Sequence, residues 1–196
     1  MDKAERTKQY IIETAASIFN KNGYDGTSFS DIVKGTGLSK GAIYGHFGNK
    51  DELAFAALEH NLKLASKIIF SNVKDRKTSS EKLIGFAQSY SLFFEIINNA
   101  GGCPVINAAV DYDEGISLFR KSIVKFVTMW QNSITKIIDE GIKKGELRLC
   151  DELTAFSSIF ISLVEGAIML SKVMNDRKYI DDASKYLVSM IEKMKA

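Results

Sequence analysis

Within the run Ser39-Lys40-Gly41-Ala42-Ile43-Tyr44-Gly45-His46-Phe47, a hydroxyl, an ammonium, a phenol and an imidazole lie close together in sequence. Read as a helix capped by Ser39, the run turns Ile43 and Phe47 inward, with Leu38 just ahead of them. Ser39, Lys40, Gly41, Ala42 and Tyr44 then face outward. Two of these outward residues are tiny, so a backbone there can be approached closely. The others supply a hydroxyl, a charge and a phenol. Such donors, with the free N–H groups of a helix start, position phosphates, and whatever reaches the groove floor reads bases. The chemistry these residues suit is recognition of nucleic acid rather than bond making.

The elements that must hold this run are short and well punctuated. Thr27-Ser28-Phe29-Ser30-Asp31 carries a capping pair, Ser28 with Asp31, which opens a short helix to about Lys34. Gly35-Thr36-Gly37 is a tight connection in which glycine supplies any positive φ. A third helix follows over Lys40 to about Phe47. Two short helices joined by a glycine turn make a helix-turn-helix, whose second member enters the major groove. Ahead of them a long helix from about Lys3 to Asn22 buries Ile11, Ile12, Ala15, Ile18 and Phe19, and Gly23 caps it. Asn49 and Glu52 start a fourth helix reaching about Val73. Charge supports the assignment only locally. The first 65 residues hold eight basic and eight acidic side chains, but Gly26–Lys50 holds Lys34, Lys40 and Lys50 against Asp31 alone.

Composition excludes several other classes. The chain has 196 residues, 45% of them hydrophobic, and a net charge of +2. It can bury a core and has no global basic field. The single proline, Pro104, leaves room for long helices. Cys103 and Cys150 form no CxxC, and His46 and His60 are too few for a usual zinc site. No metal and no cofactor are expected. No Ser-His-Asp logic and no phosphate-cradling glycine loop is visible, so no enzyme is expected. The opening Met-Asp-Lys-Ala-Glu-Arg has no apolar signal core. Phe156–Leu170 is interrupted by serines and Glu165 and is expected to fall short of a membrane span. A cytoplasmic chain without membrane contact is the expectation.

The order and spacing of Thr7, Ile11, Ala15, Phe19, Gly23-Tyr24, Thr27-Ser28, Ile32, Gly37-Leu38-Ser39, Gly41, Tyr44, His46-Phe47, Lys50 and Leu53 resemble the DNA-binding domain of TetR-family regulators. Val33 stands where that family often carries alanine. The resemblance implies a three-helix head with Tyr44 and Lys50 on phosphates and Lys40, Gly41 and Ala42 near bases. The candidate DNA-contacting set is Thr27, Ser28, Ser39, Lys40, Gly41, Ala42, Tyr44, His46 and Lys50, with His46 equally readable as a helix cap. Gly102-Cys103-Pro104 with Asn107 resembles a motif of one subgroup of the family. The function implied is a ligand-responsive regulator, a repressor released from double-stranded operator DNA by a small molecule. An activator of the same fold, a helical enzyme or an interaction module are the alternatives.

The expected fold is all-α with about nine helices. Residues 1–50 form the helix-turn-helix head, 50–73 a linking helix, and 74–196 a helical domain for ligand binding and dimerisation. In that domain a fifth helix spans about Glu81–Asn98, and Asn99-Ala100-Gly101-Gly102 breaks it. Pro104 opens a sixth, and others cover about Glu114–Lys144, Glu152–Met174 (capped by Asp151) and Lys178–Met194. Phe86, Tyr90, Phe93, Cys103, Asn107, Trp130 and Phe160 are candidate ligand-pocket residues, and core packing explains each aromatic equally well. Phe156, Ile159, Leu163, Gly166, Tyr186, Leu187 and Met190 are the candidate homodimer face. The last two helices carry more apolar surface than one neighbour needs, with small residues at four-residue spacing on the first of them. The competing reading is that both helices only cap their own subunit's core.

Overall fold

A computed structural model describes residues 2–111, 117–148 and 153–196. Ten helices occur among them: α1 (Lys3–Asn22), α2 (Phe29–Thr36), α3 (Lys40–Tyr44), α4 (Lys50–Ser71), α5 (Ser79–Leu92), α6 (Phe94–Asn99), α7 (Pro104–Asp111), α8 (Ser117–Lys143), α9 (Leu153–Val173) and α10 (Lys178–Lys193). The only strand-like pairing in the described residues is a single antiparallel bridge between Leu147 and Lys195. The fold is all-α. Cys150, the Asp151 cap and the helix starts expected near Glu114 and Glu152 lie outside the described residues.

Local chemistry sets most helix ends. α1 starts at a capping box in which Asp2 accepts from the Glu5 N–H and Glu5 accepts from the Asp2 N–H. It stops at Gly23, whose φ of 78° suits glycine. The Ser28–Asp31 box opens α2 as expected, and Gly37 ends it in the left-handed region. Gly35 and Thr36 belong to the helix rather than to the turn, so the connection is shorter than the glycines suggested. α3 is shorter too. Its helical bonding ends at Tyr44, and the N–H groups of His46 and Phe47 both fold back onto the Ile43 carbonyl. The long fifth helix is two helices. At Phe93 the backbone leaves helical geometry (φ −104°, ψ 12°). α5 also begins earlier than expected, because Thr78 caps it in a box with Glu81.

The chain divides into two compact units, one holding the described residues of 1–65 and 100–124, the other those of 66–99 and 125–196. The division does not follow the expected boundary near residue 74, since α7 and the start of α8 cluster with the N-terminal helices. In the first unit Ile11, Ala15, Ile32, Ile43, Phe47 and Leu53 are buried at the junction of the short helices. In the second, α10 packs on α5 and α9. Its core includes Phe86, Trp130, Ile134, Phe160, Val164 and Leu187.

One expectation about α9 needs correction. Residues Ala155–Val173 have a mean hydropathy of 1.5 and are long and apolar enough to cross a membrane by length and composition. The serines and Glu165 do not lower the apolarity enough to exclude that. The reason for the apolarity is packing: Phe156, Phe160, Ile161, Val164, Ala167 and Ile168 are buried within the second unit.

Candidate nucleic-acid interface

The end of α2 is fixed by side-chain bonds within the helix, from the turn and from α1. The Thr36 hydroxyl donates to the Ile32 carbonyl at 2.8 Å and accepts from the Leu38 N–H at 3.3 Å. The Tyr10 phenol of α1 donates to the Thr36 carbonyl at 3.1 Å. These bonds satisfy groups at the end of α2, where carbonyls lack helical partners. Ser39 caps α3, its hydroxyl accepting from the Ala42 N–H at 3.1 Å. On this frame Ser39, Lys40, Gly41, Ala42 and Tyr44 are all exposed, and Ile43 is buried. A Cβ placed on Gly41 would meet nothing within 4 Å, so the backbone there stands clear of the rest of the protein.

The Tyr44 ring lies flat against Phe29, the first residue of α2, with centroids 4.4 Å apart and planes 6° from parallel. The Lys40 ammonium sits 5.7 Å from the Tyr44 ring centre and 5.9 Å from that of Phe29. Both distances are within cation–π range. Phe29 was not among the candidates. Its only sequence signal is a large aromatic in the first turn of a short helix, which propensity does not distinguish from a core residue.

Lys50 is held from below. Its Nζ donates to the Tyr24 carbonyl at 2.6 Å and lies 4.0 Å over the Tyr24 ring. The bond to the carbonyl uses one of the three ammonium hydrogens. Tyr24 has further ties within this unit. Its phenol donates to the Asp51 carboxylate, and its N–H donates to Asp111 Oδ2 at 2.5 Å. Its ring stacks on Phe19 and tilts against Phe119. Partial burial, then the bond to Asp51, then the charges of Asp51 and Asp25, push the phenol up to about 12. Asp111 is the last residue of α7, so the end of that helix reaches Lys50 through one tyrosine. Sequence reasoning missed this hub, because Tyr24 and Asp111 lie 87 positions apart.

The candidates fare unequally. Thr27 is fully buried, and its hydroxyl donates to the Gly23 carbonyl at 2.6 Å. It braces the α1–α2 corner and presents nothing to DNA. Ser28 is exposed, but its hydroxyl is engaged with Asp31, and these bonds hold the Asp31 carboxyl below its ordinary value. His46 is half-buried at the α3 turn. Of the pocket candidates, Cys103 and Asn107 belong to the first unit. The Asn107 amide donates to the Asn20 carbonyl at 2.9 Å and the Gly101 carbonyl at 3.0 Å, so it staples α7 to α1 instead of offering a donor to a ligand. In the second unit Phe86 packs edge-on to Phe70, and Tyr90 stacks on Trp130 at 5.4 Å. Phe160 is fully buried, and Phe93 is half-buried at the break after α5. The Trp130 Nε1–H is buried without a hydrogen-bond partner among the described residues.

The dimer candidates divide as well. Leu187 is 1% exposed and Phe156 7%, so both point into their own unit and are withdrawn from the outer face. Ile159 and Tyr186 are exposed, at 51% and 58%. Leu163, Gly166 and Met190 are half-buried. Leu163, Gly166, Leu170, Tyr179 and Tyr186 line an open groove of about 390 Å³ between α9 and α10.

Residues 11–57 match the family model for bacterial regulatory proteins, tetR family, and residues 79–187 match that for a tetracyclin repressor-like C-terminal domain. The solved structure of a TetR transcriptional regulator from Chloroflexus aurantiacus is similar, with a TM-score of 0.94 at 29% identity over 100% of this chain and 98% of that one. A TetR-family regulator from Cytophaga hutchinsonii gives 0.89 at 32% identity, with 100% and 98% covered. The fatty acid metabolism regulator protein of Bacillus subtilis is 27% identical over 90% of this chain and 89% of its own length.

Proposed function

The chain belongs to the TetR family of bacterial regulatory proteins, and from that premise we propose that it is a homodimeric repressor released from its operator by a small apolar effector. It is a ligand-responsive, DNA-binding transcriptional regulator of the cytoplasm. One observation carries the DNA reading: α3 presents Ser39, Lys40, Gly41, Ala42 and Tyr44 to solvent as one face while Ile43 anchors it. An exposed hydroxyl, phenol and ammonium beside a bare glycine backbone suit contact with a phosphate backbone. Lys50, held on the Tyr24 carbonyl, adds a second cation at the start of α4.

The partner copy is supported by the apolar groove between α9 and α10 and by exposed Ile159, Met169, Leu170 and Val173 beside it. Helices so apolar on the outside suit a self-complementary interface about a two-fold axis. The effector reading is supported by Trp130. A buried N–H without a partner costs about 1–3 kcal/mol, and an acceptor atom on an apolar molecule beside the Tyr90–Trp130 stack offsets that cost. Trp130 is the single tryptophan, so its emission is the readout for such binding. Release follows when the effector favours a state whose heads no longer match the half-sites. The Asp111–Tyr24–Lys50 chain gives α7 a direct hold on the DNA face.

The test is binding of wild type, Tyr44→Ala and Lys50→Ala to a duplex that wild type selects from a random pool, across salt concentrations. Both variants weaken binding to selected and scrambled duplexes alike, and the Lys50 variant loses about 0.9 units of log–log salt slope. Unchanged affinity in both removes the proposed face.

A further inference from the structure

We propose that Phe29, on α2 and outside the reading helix, is a positioning residue for DNA recognition: it fixes the direction of the Tyr44 phenol and, with that ring, parks the Lys40 ammonium. The proposal rests on the DNA-binding reading above and deepens it.

The observations are geometric. Tyr44 is in the last turn of a five-residue helix. Side chains on so short a support gain little orientation from their own helix, and Tyr44 is 43% exposed, so neighbours do not cage it. Its ring lies flat on the Phe29 face, with centroids 4.4 Å apart and planes 6° from parallel. Phe29 itself is anchored by the Ser28–Asp31 box immediately around it, which fixes the first turn of α2. Lys40 lies one helical turn before Tyr44, on the same side, and its ammonium is within range of both rings. Three side chains from two helices thus form one ordered cluster on the face that meets DNA. Two of them, a long lysine and a tyrosine, otherwise lose rotamer freedom when they dock. Paying that loss in advance is what preorganisation means for a binding surface.

The consequence is a residue that touches no phosphate in this scheme yet controls affinity. Phe29→Ala frees both Tyr44 and Lys40, so operator affinity falls roughly 5- to 150-fold, the scale of ordering two such side chains. The salt slope stays at its wild-type value, because no charge is removed, whereas Lys50→Ala, which removes the phosphate cation, lowers it by about 0.9. A packing role alone also leaves the slope unchanged, so what separates the two is coupling to Lys40 and Tyr44, which a packing role does not produce.

The experiment measures binding to the wild-type-selected duplex for Phe29→Ala, Phe29→Leu, Phe29→Tyr and the triple variant Phe29→Ala/Lys40→Ala/Tyr44→Ala, beside Lys40→Ala/Tyr44→Ala. Helicity and melting are checked by circular dichroism. Phe29→Leu keeps apolar volume but has no flat face, and it answers the question if the alanine variant fails to fold. The expected result is loss for Ala and Leu, near wild-type binding for Tyr, and no further loss when Phe29→Ala is added to the double variant. Additive loss there, or a folded Phe29→Leu protein that binds like wild type, overturns the proposal. If wild type selects no duplex at all, it is the DNA-binding reading that fails.

Discussion

The α1–α2 corner offers a perturbation whose size can be worked out. Gly23 has φ 78° and ψ 170°, a region closed to other residues, and a Cβ there would lie 2.7 Å and 2.9 Å from the two carboxylate oxygens of Asp111. Gly23→Ala therefore has two costs. The backbone strain is about 1–3 kcal/mol. The clash is relieved by moving the flexible Asp111 side chain, which surrenders its bond to the Tyr24 N–H. A charge-assisted bond is worth about 1.5–3 kcal/mol at best, and about 1 kcal/mol where water can replace the acceptor, as at this exposed site. The total is about 2–4 kcal/mol, a fall in melting temperature of roughly 4–16 °C for a chain of this size. Asp111→Ala alone loses about 1 kcal/mol. In that background Gly23→Ala keeps only the strain, so the double variant is more stable than the sum of singles by about 1 kcal/mol. The assay is urea unfolding of the four proteins at one fixed protomer concentration, since a dimer's stability depends on concentration. Strict additivity, or a Gly23→Ala cost below about 0.5 kcal/mol, refutes the link between α7 and the corner.

Two further outcomes follow from the same geometry. Leu163→Glu, on the half-exposed groove wall, gives folded monomers by light scattering at micromolar concentration, whereas Leu187→Glu puts a charge at a 1% exposed position and unfolds the protomer; a folded dimer from both variants sinks the interface. Glu81 and Glu146 are held below the ordinary 4.5 by N–H bonds, Glu81 from Thr78 and Lys77 and Glu146 from Ser79, so their stabilisation is whole above 4.5 and is lost as pH falls through their lowered values. Urea midpoints should drop on acidification below that point, and Glu81→Gln/Glu146→Gln should flatten the drop; an equally steep drop in the double variant contradicts the assignment.

What could be read in advance was what neighbouring residues decide among themselves. The span of α1, the Ser28–Asp31 box, the Ser39 cap and the outward run Lys40–Tyr44 all rest on contacts a few positions long. What could not be read depends on partners brought together by folding. Thr27 looks like an exposed donor, but the Gly23 carbonyl takes its hydroxyl in a buried corner. Asn107 looks like a free amide until Asn20 is placed beside it. The break at Phe93 has no glycine or proline to announce it. Leu187 and Tyr186 are equally apolar in pattern, and only the packing of α10 on α5 and α9 shows that one is inside and the other out. The Thr78–Glu81 box is local chemistry of the same kind, yet the fifth helix was expected to begin only at about Glu81.

The central claim is that α3 lies in the major groove of a two-fold operator. The direct measurement is dimethyl sulfate footprinting of the selected duplex, since that reagent reports guanine N7 on the major-groove edge. The account predicts two protected patches, related by symmetry and separated by about 34–36 Å or a multiple of it, both weakened by Lys40→Ala/Tyr44→Ala. Protein bound at saturating concentration with every guanine N7 still reactive, or with a single unsymmetrical patch unaffected by that variant, would contradict it.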